Sequence, residues 1–450
     1  MNLRPAVSVL VLLFGTGGSI ASPVSELALP ERAIPALDPI LKRAAEQSPR
    51  MVSRALDLEM AENNRIQARA GLLPTVNASY RLSRSRDDRA DLLEPTDATK
   101  TYYDVSVTQP LFHWGERRNS ARIGEIQQLI AEGNYREGYR QLVQELRQKY
   151  VALTVQKTQR ERARAFLGLA QQQLALAEER LTKKVISEVE IYPIRLNAEQ
   201  AQIGVERAEY DFESAKHTFA RLAGMNALTD AQIPDAVPPV AYTRAPVNAL
   251  LSAFLAQKNI PSVEAANLRH MLEIEALNVK NQQTRLRPKA GAVLGLNQDE
   301  QSYSLNTAQK YRVTSMYAGV QINWTIFDGF AAQAGTRSAL ARRRQIETDY
   351  AQVLDRLGQQ AQSLAKQMDF AARAMSIADR GLASGEGNLR TKQGEFQRGS
   401  ASETDVAQAG IQLLDARIGA YVARLDYLTK VGEFLGTLNE DPVVAALSIK

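Results

Sequence analysis

The sequence predicts a mixed membrane β-barrel and long α-helical barrel, internally duplicated, with four strands and four helical columns in each chain. Three observations carry this: a repeat across the two halves, a strand pair inside each of two helical hairpins, and helices too long for a globular domain. Ser187-Glu188-Val189-Glu190-Ile191 returns 215 residues later as Ser402-Glu403-Thr404-Asp405-Val406. The same shift pairs Ile194 with Ala409, Ala198 with Leu413, Ala201 with Ala416, Val205 with Ala420, Ala208 with Ala423 and Phe212 with Tyr427. Small or apolar residues stepping by four and three make a coiled-coil seam. A period this long is not a short solenoid repeat. It divides the chain into a first repeat at 22–233, a Pro-rich connector at 234–248, a second repeat at 249–441 and a tail at 442–450.

The chain opens on Arg4, an apolar core from Ala6 to Phe14, a Gly15–Gly18 break and the small residues Ser19-Ile20-Ala21. This reads as an export signal over 1–21, with the mature chain beginning at Ser22. Its core falls well short of the roughly 20 residues a spanning helix needs. No later apolar run is longer, so a membrane role must use strands. With no cysteine there are no disulfides, no thiolate metal sites and no lipid-accepting thiol. The net charge of +5 is spread along the helices, with Arg342-Arg343-Arg344 the densest run. In an exported chain that run is a solvated helix face and not a nucleic-acid site.

A helix is predicted from Pro49 to Gly71, capped by Ser48 with Pro49 in its first turn, and Leu73-Pro74 ends it. Strand one, 75–83, sets Val76, Ala78, Tyr80 and Leu82 against Thr75, Asn77, Ser79 and Arg81. The Asp- and Arg-rich stretch Ser83–Lys100 reads as a loop. Strand two, 102–111, alternates Tyr103, Val105 and Val107 with Asp104, Ser106 and Thr108. In strand three, 290–297, Ala290, Ala292, Leu294 and Leu296 oppose Gly291, Val293 and Gly295. Strand four, 313–326, sets Met316, Ala318, Val320, Ile322 and Trp324 against Tyr317, Gly319, Gln321 and Asn323. The two tryptophans, Trp114 and Trp324, fall at equivalent strand ends, where an interfacial aromatic belt sits, and Tyr102, Tyr103, Tyr303 and Tyr311 lie near the opposite ends. Four strands cannot close a barrel, so several copies must pool theirs.

No proline interrupts Glu116–Leu181, where Leu167, Ala170, Leu174, Ala177 and Leu181 keep heptad spacing; such a helix is a rod of about 100 Å. It turns at Lys184–Ser187 and returns from Glu188 to Gly224. The second hairpin, 335–436, has its long helix ending at Arg398, its turn at Gly399–Ser402 and its return at Glu403–Leu435. Each return helix is too short to line its rod alone, and the helix before each strand pair makes up the difference. Four columns of equal height therefore stand beneath four strands, as an open cylinder wall instead of a solid four-helix bundle.

Certain motifs name a family. They are Ala70-Gly71-Leu72-Leu73-Pro74-Thr75-Val76, the strand ends Gln109-Pro110-Leu111-Phe112 and Ile326-Phe327-Asp328-Gly329, the turn Gly399-Ser400-Ala401-Ser402 with Asp405-Val406, and Leu435-Gly436-Thr437-Leu438-Asn439-Glu440. In this order the chain resembles the TolC family of outer-membrane efflux and type I secretion ducts. The resemblance implies a homotrimer in the bacterial outer membrane, in contact with its lipid and extending through the periplasm. It would have a twelve-stranded barrel, a twelve-helix tunnel and no cofactor. It also implies a passive pore gated at its periplasmic end, docked to a periplasmic adaptor and an inner-membrane pump of the ABC or RND type.

On that pattern the adaptor-docking turns are Lys184, Val185, Ile186 and Ser187, and Gly399, Ser400, Ala401 and Ser402. Lys184 stands where glycine is common, which predicts a first tip of different shape. Asp405 matches the first acidic position of the gate and Phe396 its aromatic. Gln408 replaces the second acid, and Ala401 stands where some members place a base, which predicts weaker cation block. Asp405 and Glu403 also fit as acids favoured at a helix start.

Nothing in the sequence reads as an enzyme. His113, His217 and His270 lie in separate segments without a partner carboxylate or serine, and no phosphate-cradling glycine loop is present. The alternative is a periplasmic coiled-coil adaptor or tether without its own pore; adaptors carry one helical hairpin beside compact β-domains, whereas here a strand pair interrupts each of two. Cargo, whether drug, protein or metal, does not follow from the fold.

Overall fold

The computed structural model describes residues 23–88, 95–257, 260–303 and 310–447. The predicted export signal lies outside them, as do the side chains of Tyr303 and Tyr311. Along the chain run α1 (Pro30–Ala33), α2 (Leu37–Gln47), α3 (Pro49–Ala70), β1 (Thr75–Asp87), β2 (Thr96–Phe112), α4 (Glu116–Thr182) and α5 (Glu188–Leu222). They are followed by α6 (Arg244–Leu255), α7 (Val263–Gln283), β3 (Lys289–Tyr303), β4 (Lys310–Asn323), α8 (Ala331–Gln397), α9 (Glu403–Leu438) and α10 (Pro442–Ala445). The order helix, strand pair, long helix, return helix thus occurs twice. Both long helices have 67 residues, and the returns have 35 and 36.

The strands form one antiparallel sheet in the order β1-β2-β3-β4. Its register assembles the predicted alternation into rows. Val76, Val107, Leu294 and Ala318 share one face with Ala78, Val105, Leu296 and Met316. The opposite face carries Asn77, Ser106, Gly295 and Tyr317, then Ser79, Asp104, Asn297 and Ser315. On that polar face Gly295 makes room for a ring: a Cβ there would stand 2.3 Å from Cζ of Tyr317.

The strands differ from the sequence reading in extent. Strand pairing continues through Ser83–Asp87 and Thr96–Lys100, within the predicted loop, and β3 likewise runs on to Tyr303. Arg84 and Asp97 of the predicted loop are cross-strand partners (3.5 Å), as are Arg312 and Glu300 (2.8 Å) beyond the predicted ends of strands three and four. Strand four stops at Asn323 instead of 326, because the chain turns there toward α8 through Gly329 and Phe330, both left-handed (φ 65° and 68°). The β2–α4 junction turns the same way at Trp114 and Gly115 (φ 53° and 85°).

Below the sheet the helices keep the strand order. α4 lies between α3 and α7, and α8 packs on the far side of α7; lower down, α4 lies between α5 and α9, and α8 packs on α9. Two columns are unbroken helices, and two are stacked pairs. The first joint is tight: at Gly224, left-handed at φ +70°, a Cβ would stand 2.3 Å from the carbonyl oxygen of Gln47, so the end of α5 abuts the start of α3. The counterpart Asn439 ends α9 with φ 58°. Beside it a cleft of about 960 Å³, lined by Asn134, Arg140, Ser262 and Asn267 among others, opens where α9 gives way to α7.

The buried core gathers at these joints. Leu41, Leu146, Tyr150, Phe219 and Val237 form one cluster, and Phe254, Leu364, Met368 and Phe434 belong to a second. Burying each large side chain contributes about 1.5–3 kcal/mol. Toward the tips the seam thins to alanines, with Ala170, Ala198 and Ala201 packed together. Two buried arginines fasten the outlying segments. Arg147 of α4 holds Glu31 (2.8 and 2.5 Å) and Asp441 (2.5 and 3.0 Å). Arg424 of α9 holds Asp379 (3.1 and 2.7 Å) and the Val237 carbonyl.

Candidate gate and docking tips

The two hairpin turns end in the same backbone device. After α4, the Lys184 N–H donates to the Leu181 carbonyl and the Val185 N–H to that of Arg180, both at 2.9 Å. After α8, Gly399 donates to Phe396 and Ser400 to Glu395, again at 2.9 Å. These are Schellman closures, with Lys184 (φ 56°) and Gly399 (φ 77°) both left-handed. The predicted difference in shape between the tips is therefore corrected at the level of the backbone. Lysine takes the glycine conformation at a cost of about 1–2 kcal/mol because its Cβ crowds the following carbonyl.

The return helices also start alike. Ser187 and Ser402 are N-caps whose hydroxyls accept from the N–H groups of Glu190 and Asp405, and each acid answers the serine N–H (2.7 and 2.8 Å). These reciprocal capping boxes satisfy two otherwise orphaned donors at each helix start. The hydrogen bonds from the serine lower the pKa of Glu190 and of Asp405 below ordinary carboxylate values.

Asp405, Phe396 and Gln408 are all exposed near the α8–α9 turn. Phe396 lends its carbonyl to the turn, and its ring is 48% exposed. Sequence reading missed Lys392, which hydrogen-bonds Glu395 (2.8 Å) and lowers the pKa of Asp405 by its charge. Hairpin counting would have found it, since Lys392 lies seven residues before Gly399 and Asp405 six after. The sequence signal for the Arg147 and Arg424 clusters is absent, because their partners come from distant segments.

Trp114 and Trp324 converge on one segment. Their indole N–H groups donate to the carbonyls of Pro288 (2.8 Å) and Leu286 (3.0 Å), at the entry to β3. Arg287 lies over the Trp114 ring at 4.7 Å, and Phe112 meets it edge-on at 4.7 Å. His113 flanks this junction, whereas His217 lies on α5 and His270 on α7. Among the described residues no cluster of His, Asp and Glu could hold a metal, and no helix is long and apolar enough to cross a membrane.

A sheet with one apolar face, continuous with columns of helix, defines the class of outer-membrane proteins with a long periplasmic extension. Comparison supplies the family: the outer membrane efflux protein model matches residues 40–225 and 254–433, and the chain belongs to that family. It is a family of transport channels and not of enzymes. Among curated proteins the chain is similar to the alkaline protease secretion protein AprF of Pseudomonas aeruginosa, 24% identical over 323 residues. That match covers 68% of this chain and 64% of AprF, just under two thirds of the relative's length. Among solved structures, the Campylobacter jejuni CmeC outer membrane channel has a TM-score of 0.69 at 13% identity, covering 97% of this chain and 94% of that one. The outer membrane protein VceC of Vibrio cholerae has a TM-score of 0.63 at 15% identity, covering 91% and 97%. At these identities the structures speak for the fold alone.

Proposed function

We propose that three copies of this chain assemble into an outer-membrane exit duct: a twelve-stranded barrel above a twelve-helix periplasmic tunnel. The observation that carries this is the exposed apolar face of the sheet. Val76, Val320 and Met316 are 68%, 66% and 83% exposed in the single chain, while the other face is polar. A four-stranded sheet in lipid would leave the outer edges of β1 and β4 without hydrogen-bond partners, and sister copies supply them. The helical layer has matching free edges, with Val189, Tyr192, Ile203 and Tyr210 exposed on α5 and Phe370 and Ile377 on α8. The repeated element order and equal helix lengths support two repeats, at 22–233 and 249–441, as the unit of design.

In this reading the turns Lys184–Ser187 and Gly399–Ser402 dock on a periplasmic adaptor serving an inner-membrane pump. Asp405 and Phe396 narrow the entrance, which opens as the α8–α9 hairpin untwists. Lys392 and the replacement of an acid by Gln408 leave that entrance weakly negative. The relative AprF is named for secretion of alkaline protease, which favours a secreted polypeptide over a small drug as cargo. Transport through this subunit is passive, and the pump supplies the work.

Deleting the gene and comparing secreted proteins with drug sensitivity tests the cargo: lost secretion with unchanged drug sensitivity is the expected result. Fractionation tests the duct itself. Heat-modifiable oligomers in the outer membrane support it, and a folded water-soluble monomer would refute it in favour of an adaptor or tether.

A further inference from the structure

We propose that the junction between sheet and helices carries an anion site in the duct wall, built around Arg117 and taking solutes that bear carboxylate or phosphate groups. The proposal rests on the duct reading above. At the helix end of the sheet a cavity of about 270 Å³ is lined by Thr75, Thr108 and Gln321 of the polar face together with His113, Arg117 and Lys289. The polar face is the one turned from lipid, so the cavity opens toward the lumen.

The charges in this cavity do not cancel. Lys289 is ion-paired with Glu116, and nearby Asp328 is taken by Arg285 (3.3 Å). Among the described residues no ion pair joins a carboxylate to Arg117, and with Glu116 engaged by Lys289 its exposed guanidinium leaves an excess positive charge at the cavity in each copy. Burial first, then the charges of Arg117 and Lys289, hold the His113 imidazole below its ordinary pKa, with Glu116 acting the other way. The space is kept open on one side by Gly71, where a Cβ would press within 3.3 Å of Nη1 of Arg117. Cationic side chains in a narrow wall of low dielectric concentrate anions, and rings of Arg or Lys set anion preference in pores. Threefold assembly would make such a ring from Arg117.

The test is the reversal potential of the purified full-length oligomer in planar bilayers under a KCl gradient. The chloride-to-potassium permeability ratio is expected to fall about twofold or more in Arg117→Glu, and less in Arg117→Gln. Arg117→Lys keeps the ratio, and so does Arg43→Glu, an equal charge change on the exposed face of α2. If Arg117→Glu does not assemble, Arg117→Gln reads the same ratio with a smaller shift. A native ratio in both variants, or an equal shift in Arg43→Glu, overturns the anion site alone. Absence of any conductance from the native oligomer overturns the duct reading and the site with it.

Discussion

Arg147 and Asp441 stand 294 residues apart in the chain and meet through two hydrogen bonds of 2.5 and 3.0 Å, with the arginine side chain only 3% exposed. The same guanidinium holds Glu31, so one residue of α4 fastens both the amino-terminal segment and the carboxyl-terminal tail. Desolvation opposes its charge, but the carboxylates of Asp441 and Glu31 outweigh that and raise its pKa. Arg147→Met strands two buried carboxylates and is expected to cost about 3–5 kcal/mol. Adding Glu31→Gln and Asp441→Asn should restore much of it. Urea unfolding followed by circular dichroism measures both; a single variant as stable as the native chain would contradict the clamp.

Lys184 holds a left-handed backbone that glycine adopts without strain. Lys184→Gly is expected to stabilise the first tip by up to about 1 kcal/mol, slowing amide exchange at residues 184 and 185 several-fold. Gly399→Lys should act oppositely at the second tip. Exchange rates that do not move in either variant would show that the closures tolerate any residue.

The capping acids make the tips sensitive to acid. Glu190 and Asp405 have folded pKa values depressed by their bonds to Ser187 and Ser402. Their stabilisation is complete above the unfolded values, near pH 4, and is lost as pH falls through the lower folded values. Protection of the Glu190 and Asp405 amides, taken relative to the intrinsic exchange rate at each pH, is expected to fall below pH 4 while the Phe219 and Phe434 cores stay protected. Ser187→Ala and Ser402→Ala should reduce the loss of protection between pH 7 and pH 3 without abolishing it, because the backbone N–H at each position still donates to the acid.

Gly295→Val places a branched side chain where the outer end of the Tyr317 ring sits, so the ring must move aside. Overpacking of this kind costs about 1–3 kcal/mol. The expected result is loss of heat-modifiable oligomers on gels, with partial recovery in Gly295→Val/Tyr317→Ala.

Asp405→Asn removes the acid proposed for the entrance. Because Lys392 and Gln408 already weaken the negative potential there, block by divalent cations from the periplasmic side should be shallow in the native duct and lost in the variant. Conductance titrated with a divalent cation checks this, and unaltered block would move the gate elsewhere.

Much of the architecture was legible because it is periodic. The seam Ala198, Ala201, Val205, Phe212 and the alternation Val76, Ala78, Tyr80, Leu82 each state their face in the sequence. Helix ends were readable to within a few residues from Ser48-Pro49, Ser187 and Ser402. The strand ends were not, because Arg84, Asp97, Glu300 and Arg312 look like loop residues until a partner strand stands opposite. Lys184 misled for a different reason: the local hydrogen bonds that close the helix end imposed a conformation that residue preference argues against. Of the candidate site, the tips and the acid at Asp405 were visible, whereas Lys392, Arg147 and Arg117 take their meaning from neighbours on other helices.

The alternation of whole and jointed columns bears on how the duct can move. A continuous 67-residue helix carries torque along its full length, but the rods beside it pass from one helix to another at Gly224 and Asn439. In the gate proposed above, a twist applied at the entrance would be taken up at mid-height by every second stave, leaving the sheet still while the far end dilates like an iris.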